Sequence, residues 1–305
     1  MLRIDAMISV LDRLSAWSIY LLIFALPFSK SIVEITIVTA LVCVVLKNFL
    51  LKEDTFCVKK IENKFLYIFL FVSLLSIFNS YAPLLSVKAL FSKSLKFAAL
   101  FLITGHCINT REKLKNFMIV ASISCALILI DGFTQYYITH IDFLHSYPSF
   151  KYVLDQPLEL GAVTASFPFP NDFAAWILMF VFPIGVYFMF GPCGWKARIF
   201  FACLSAGLLY SLALTKVRGA WAAFLLALGM LFFSRLGKAG VILLAAILLF
   251  TMFVNPGLKS YVTSLTSAAD RAAMWNVGWE IFKEHPIIGN GVNTFFEKFK
   301  INRLD

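Results

Sequence analysis

The chain alternates long apolar runs with short polar breaks, and the runs have the length of helices. From the N-terminus they fall at about Leu14 to Phe28, Ile35 to Leu51, Phe65 to Phe78, Leu90 to Ile103 and Phe117 to Tyr137. After a polar stretch from His140 to Pro170 they resume at about Phe173 to Phe190, Ile199 to Leu214, Ala220 to Phe233 and Val241 to Val254. Runs of this kind predict membrane-spanning helices, about nine of them. The expected fold is therefore all-α and polytopic. A transmembrane bundle covers residues 1–254, with a loop at about 138–170, and a polar segment follows over 255–305. The first run follows Arg3 and Arg13 as a signal peptide would. It has no small-residue cleavage site and leads straight into the next run, so it reads as a retained helix.

Composition turns a membrane reading into the required one. Of 305 residues, 60% are hydrophobic and 14% charged, and 33 are phenylalanine; mean hydropathy is +0.84. A soluble domain of this length has no interior large enough for so much apolar surface. The net charge of +10 does not mark a nucleic-acid partner, because the lysines and arginines sit in short loops between apolar runs. With the N-terminus inside, and counted over the segments before residue 255, they stand 14 to 7 in favour of the cytoplasmic side. Cys43, Cys57, Cys107, Cys125, Cys193 and Cys203 all fall in spans or on that same side, as an oxidising exterior favours. The two long polar segments then face outward. No C-x-x-C, H-x-x-x-H or D-x-D occurs and no histidine–carboxylate cluster has ligand spacing, so no metal, redox centre or other cofactor is expected.

The candidate chemistry lies on the outer side. Ser267 and Asp270 form an S-x-x-D helix start, and the pattern predicts an amphipathic helix over about 268–285. Arg271, Trp275, Gly278 and Phe282 share one face, with Met274 and Ile281 beside it. Pro286 stops the helix, and Gly289 and Gly291 permit a tight turn before Phe295 and Phe296. Arg271 is out of place in a first turn, where the helix dipole disfavours a cation by about 0.3–1 kcal/mol. With the free N–H groups there it makes an anion site suited to phosphate; an ion pair with Asp270 is the plainer alternative. Arg218 begins another helix on the same side, followed by Gly219 and Ala220, which leave room for a close approach. Together the two arginines suit a diphosphate. Lys216 reads either as a further cation for it or as a lysine snorkelling at the membrane edge. Asn171 reads as the cap of the span near Phe173, with Asp172 beside it as an accessory polar group. Asp131 and Glu34 read as structural groups at span ends.

These residues carry a resemblance. Thr215–Trp221, T-K-V-R-G-A-W, resembles the S-R-G-A-W type motif of the O-antigen ligase family. The run D-R-x-x-M-W…F-K-E-H-P-I-I-G-N-G-V-N-T-F over Asp270–Phe295 is similar to that family's outer-loop signature, and F-P-N-D-F-A at Phe169–Ala174 is similar to a third position. The resemblance implies a glycosyltransferase at the periplasmic face of the bacterial inner membrane. It would move a glycan from undecaprenyl diphosphate to the lipid A–core, with Arg218 and Arg271 binding the diphosphate and stabilising the leaving group. Neither nucleotide nor metal is implied. An O-antigen polymerase or a protein O-oligosaccharyltransferase shares the donor and differs in the acceptor. A secondary transporter is the alternative of another class, but it places polar groups near the midplane of broken, repeated spans; here the ionisable residues gather at the outer edge. The family also carries a histidine after the G-x-G turn, which this chain lacks between Gly291 and Asp305. His285 precedes that turn and does not match it. The chain accordingly reads as C-terminally truncated, with an outer segment that is untethered and mobile and a reaction it cannot complete alone.

Overall fold

The apolar runs form helices, and their polar flanks lengthen them. The computed structural model describes residues 2–51, 61–145, 150–153, 156–190, 194–237 and 266–302. Helix α1 spans Leu2–Ala25, α2 Lys30–Leu51, α3 Ile61–Leu75, α4 Pro83–Ala89, α5 Lys96–Cys107 and α6 Arg111–Thr134. Strands β1 (Phe150–Val153) and β2 (Gln156–Ala162) follow, then α7 Pro170–Phe190, α8 Trp195–Leu214, α9 Arg218–Leu236, α10 Thr266–Glu284 and α11 Phe295–Asn302. Helix α1 begins at Leu2, well before Leu14. Its polar start includes Asp12, which pairs with Lys47 of α2 at 2.9 Å. Helix α6 begins at Arg111 because the Thr110 hydroxyl accepts the N–H of Lys113 at 3.2 Å, an N-cap the hydrophobic pattern does not show.

The chain is an all-α membrane protein in its main architecture. Among the described residues, five helical stretches are long and apolar enough to cross a membrane: Ile4–Ala25, Lys30–Leu51, Arg111–Thr139, Pro170–Tyr187 and Trp195–Leu214. Asn63–Asn79 and Arg218–Leu231 are shorter apolar helices. The expected fourth span departs from the pattern. The helix runs without a break from Pro83 to Cys107, through a π-helical turn at Leu90–Leu95, but it is not among those five stretches. Lys88, Lys93 and Lys96 lie along this stretch, and hydrocarbon does not tolerate such a run of cations. The expected span at Val241–Val254 lies outside the described residues. The polar loop after α6 also corrects the purely helical expectation, because β1 and β2 pair there as an antiparallel hairpin with Val153 opposite Gln156.

The chain divides into two compact units. One comprises Tyr20–Thr36 and Thr110–Val262; the other comprises Met1–Ile19, Ile37–Asn109 and Thr263–Asp305. In the first, α6, α7 and α8 enclose a core of Ile128, Ile177, Ile184, Leu208 and Leu212, all fully buried. A Cβ on Gly207 of α8 would lie 2.9 Å from Leu129 Cδ1 of α6, so glycine sets how closely these helices approach. Phe173, Trp176 and Phe180 form an aromatic ladder along the inner face of α7.

Polar groups close the end of this core. Asp131, nearly buried, accepts from the Ser166 hydroxyl at 2.6 Å and from the N–H of Phe143 at 3.0 Å. Gln135 is fully buried. Its side-chain carbonyl accepts the N–H groups of Thr164 (3.1 Å) and Ala165 (2.8 Å), and its amide donates to Thr164 Oγ1 at 2.8 Å. The N–H of Val163 then reaches the carbonyl of Leu214 at 3.1 Å. The segment entering α7 is thereby fixed to the ends of α6 and α8. Asp131 is a structural group, as its place in the sequence suggested. Gln135→Leu strands two buried N–H groups, each costing about 1–3 kcal/mol. A loss of about 2–6 kcal/mol is the expected result, read as a lower unfolding midpoint in nanodiscs. An unchanged midpoint would show that the segment is held by packing alone.

Candidate functional site

The turn between α8 and α9 is shaped by its backbone. Thr215, buried, ends α8, and its hydroxyl donates to the Leu212 carbonyl at 2.8 Å. Lys216 adopts a left-handed conformation at φ 55, uncommon for a residue with a side chain, and this reverses the chain. Val217 is extended and no side chain caps α9. Arg218 is consequently the first residue of the helix, half-buried, at the positive end of its dipole. A guanidinium beside first-turn N–H groups is suited to a phosphate oxygen. Lys216 is exposed on the same turn. A Cβ on Gly219 would meet open space, so the approach is open there. At Ala220 it is not, because that residue is packed into the core.

Two capping assignments are corrected. Helix α7 starts at Pro170, and the Phe169 carbonyl accepts the N–H groups of Asp172 (3.1 Å) and Phe173 (3.3 Å). Phe169 is the cap, and proline occupies the first helical position, where its missing N–H costs nothing. Asn171 and Asp172 both lie inside the first turn, exposed, in the same unit as Arg218. Helix α10 starts at Thr266, so Ser267 lies within it and is not its cap. Arg271 then falls on the second turn, where the dipole argument weakens, because that effect is confined to the first. The Arg271 side chain lies outside the described residues. Arg271 belongs to the other unit.

That other unit contains a polar constellation whose members, such as Tyr81 with Glu284 and Lys93 with Asn293, lie about 200 residues apart in sequence. Helix α10 stops before Pro286, and the G-N-G-V-N-T turn follows with Gly289 at φ 83 and Gly291 at φ 97. The Asn290 amide donates to the Ile281 carbonyl at 2.6 Å and ties the turn to the end of α10. Thr294, buried, donates to the carbonyls of Asn290 (2.8 Å) and Gly291 (3.0 Å). The turn rests on residues 76–93, between α3 and α5. A Cβ on Gly291 would lie 2.5 Å from the hydroxyl oxygens of both Ser80 and Ser86. The Tyr81 hydroxyl donates to Glu284. Lys298 of α11 pairs with Glu284 at 2.9 Å and lies 3.6 Å from the centre of the Tyr81 ring. Lys93 donates to Asn293 Oδ1 at 2.7 Å. The expectation of an untethered outer segment is thus corrected for residues 281–298, which are tied at several points. His285 is exposed, and its carbonyl accepts the Gly289 N–H at 2.9 Å.

Charge reinforces this tether. The Tyr81 hydroxyl, then Lys298, hold the Glu284 carboxyl below its ordinary value of 4.5, against the opposing effect of burial. Burial alone would lower Lys298, but hydrogen bonds to Tyr81 and Glu284 raise it above 10.5. A depressed acid stabilises the folded arrangement above its unfolded pKa and loses that contribution as pH falls through the folded one. A raised base loses its contribution as pH climbs above the unfolded value. The tether is therefore fully formed between about pH 4.5 and 10.5. Proteolysis between α10 and α11 should accelerate below pH 4.5, and Glu284→Gln should show that faster cleavage at neutral pH. Cleavage independent of pH in both forms would mean that the serine–glycine contact carries the tether alone.

The fold and these two constellations define a class: a polytopic helical membrane protein with polar, cation-bearing turns at helix ends. Residues 199–304 match the family model described as O-antigen ligase. Over that stretch, from within α8 through α11, the chain is similar to that family, and the stretch includes both arginine motifs. No curated protein and no solved structure matches the chain.

Proposed function

We propose that this chain is a glycosyltransferase of the O-antigen ligase type. It moves a glycan from undecaprenyl diphosphate to a sugar hydroxyl of the lipid A–core at the periplasmic face of the bacterial inner membrane. The observation that carries the reading is the family match over 199–304, which contains Arg218 at the uncapped start of α9. In the reaction the bond from the donor sugar's anomeric carbon to the diphosphate oxygen breaks, and negative charge grows on the diphosphate. Arg218 and Arg271 meet that charge, and Lys216 adds to it, so protein cations do the work of a metal ion. Asn171 and Asp172 serve as accessory polar groups at the head of α7. The acceptor hydroxyl oxygen bonds to that anomeric carbon, and its proton passes to the departing diphosphate. Both substrates are lipids, and a common membrane surface holds their reactive ends at one depth.

The full-length protein in nanodiscs, given undecaprenyl diphosphate-linked glycan and lipid A–core, should yield glycosylated lipid A–core. Lengthened lipid-linked glycan in its place would identify a polymerase. The orientation is tested separately, in a cysteine-free variant. Single cysteines introduced there at Ser146 and Ser264 should react with a membrane-impermeant thiol reagent in spheroplasts, while in the native chain Cys57 and Cys193 stay protected. The reverse pattern would put the arginines in the cytoplasm and overturn the proposal.

A further inference from the structure

Helices α10 and α11 enclose an open groove of about 540 Å³ walled by Met274, Trp275, Gly278, Trp279, Phe295 and Phe296. Every lining side chain is apolar or aromatic, yet Trp275 is 79% and Phe296 62% exposed. On the opposite face of α10 lie Asn276, Glu280 and Lys283, with Lys283 paired to Glu280 at 2.8 Å. The helix is thus two-faced, with bulky aromatics on the unpartnered side. Water is a poor neighbour for such a face, and exposed apolar patches mark an interaction surface.

What lies next to the groove identifies its occupant. The Tyr81–Glu284 and Lys93–Asn293 bonds hold the C-terminal end of α10 and the turn after it against the connection between apolar α3 and α5. Trp279 is five positions before Glu284, about 8 Å along the helix axis. On that connection Phe78 and Leu84 flank the tethering residues and are 84% and 88% exposed. The bare aromatics of α10 therefore continue an apolar surface of the same unit. Lys88 and Lys93 on that connection add cations of the kind that anionic headgroups attract. The two indole N–H groups are the only hydrogen-bonding side-chain groups in the wall, fewer than a polar ligand of that size needs.

We propose that the α10–α11 groove is a bilayer-docking surface, which seats Trp275, Trp279 and Phe296 in the headgroup layer of the membrane the chain spans. Tryptophan is the side chain most suited to that depth, apolar in body with a single N–H for the wet side. The docking holds α10 along the membrane surface. It stands whether or not the glycan transfer proposed above is correct.

The test compares the native chain with the Trp275→Phe/Trp279→Phe double variant in nanodiscs of phosphatidylcholine and phosphatidylglycerol. The difference between their emission spectra isolates the two indoles. With bromine-labelled acyl chains that difference should fall about twofold or more, while aqueous iodide should change it little. Quenching by iodide and not by bromine would show a water-facing groove and overturn the proposal. Resistance to both would show a groove covered by protein and overturn it equally. A second measurement does not depend on the tryptophan variants. Spin labels at Met274→Cys and Asn276→Cys, in a chain without other cysteines, should report oxygen-rich lipid at 274 and a water-soluble relaxer at 276. Identical accessibility at both positions would contradict the proposal.

Discussion

Arg218→Ala, made in the full-length protein, is expected to lower glycan transfer about 10²–10³-fold with membrane insertion unchanged, the loss typical of removing one donor that stabilises transition-state charge. Insertion should survive because Arg218 is half-buried at the first position of α9, outside the apolar stretch of that helix. Arg271→Ala should behave likewise if that guanidinium meets the same diphosphate. The lysine variants are the sharper comparison. Lysine keeps the positive charge but loses the planar fork that takes two phosphate oxygens at once, so it should recover little of the activity. Full activity in both lysine variants would mean that the arginines act only through long-range charge.

Gly291→Ala should release the turn between α10 and α11. At φ 97 an alanine suffers left-handed backbone strain, and its Cβ would sit 2.5 Å from the Ser80 and Ser86 hydroxyl oxygens, which are themselves hydrogen-bonded to each other at 2.7 Å. The Cβ would also lie 2.6 Å from the Ser80 Cβ, which cannot move without its backbone. Strain of about 1–2 kcal/mol and overpacking of about 1–3 kcal/mol together exceed what the Glu284 pairing at a partly exposed site can restore. The measurement is cross-linking between cysteines at Lys93 and Asn293, whose side chains touch in the native chain. The product should be abundant with Gly291 and minor with alanine. Equal yields would show that the turn tolerates a side chain.

Five of the nine expected spans were legible among the described residues, because hydrophobic continuity is a local property. Helices α2, α7 and α8 end where their apolar runs end, at Leu51, Phe190 and Leu214. Helix starts were less legible, since caps depend on which carbonyl or hydroxyl wins a local competition. Asn171 looked like a cap, but Pro170 took the first helical position and left Phe169 as the cap. Ser267 looked like another, but α10 reaches back to Thr266. The glycine turn before Phe295 was readable, because two closely spaced glycines permit positive φ. Its docking was not, because Ser80, Tyr81, Ser86 and Lys93 lie some 200 positions away and nothing in their own neighbourhood marks them. Gln135 was hidden in the same way: a single amide in an apolar run has no visible partner until residues 164 and 165 fold back onto it. Arg218 was legible both as a motif and as a helix start, which is why it anchors the proposed donor site.

The central claim is that this turn recognises a lipid-linked diphosphate. The most direct measurement is the affinity of the full-length protein in nanodiscs for undecaprenyl diphosphate against undecaprenyl monophosphate, with no acceptor present. The two ligands share a lipid tail, so a difference in their binding reports the headgroup alone. The native protein should bind the diphosphate about tenfold or more tightly than the monophosphate, and Arg218→Ala should erase that preference while leaving binding of the shared tail. Equal affinity for the two lipids, or a preference that survives in Arg218→Ala, would contradict the assignment of this turn as the donor site.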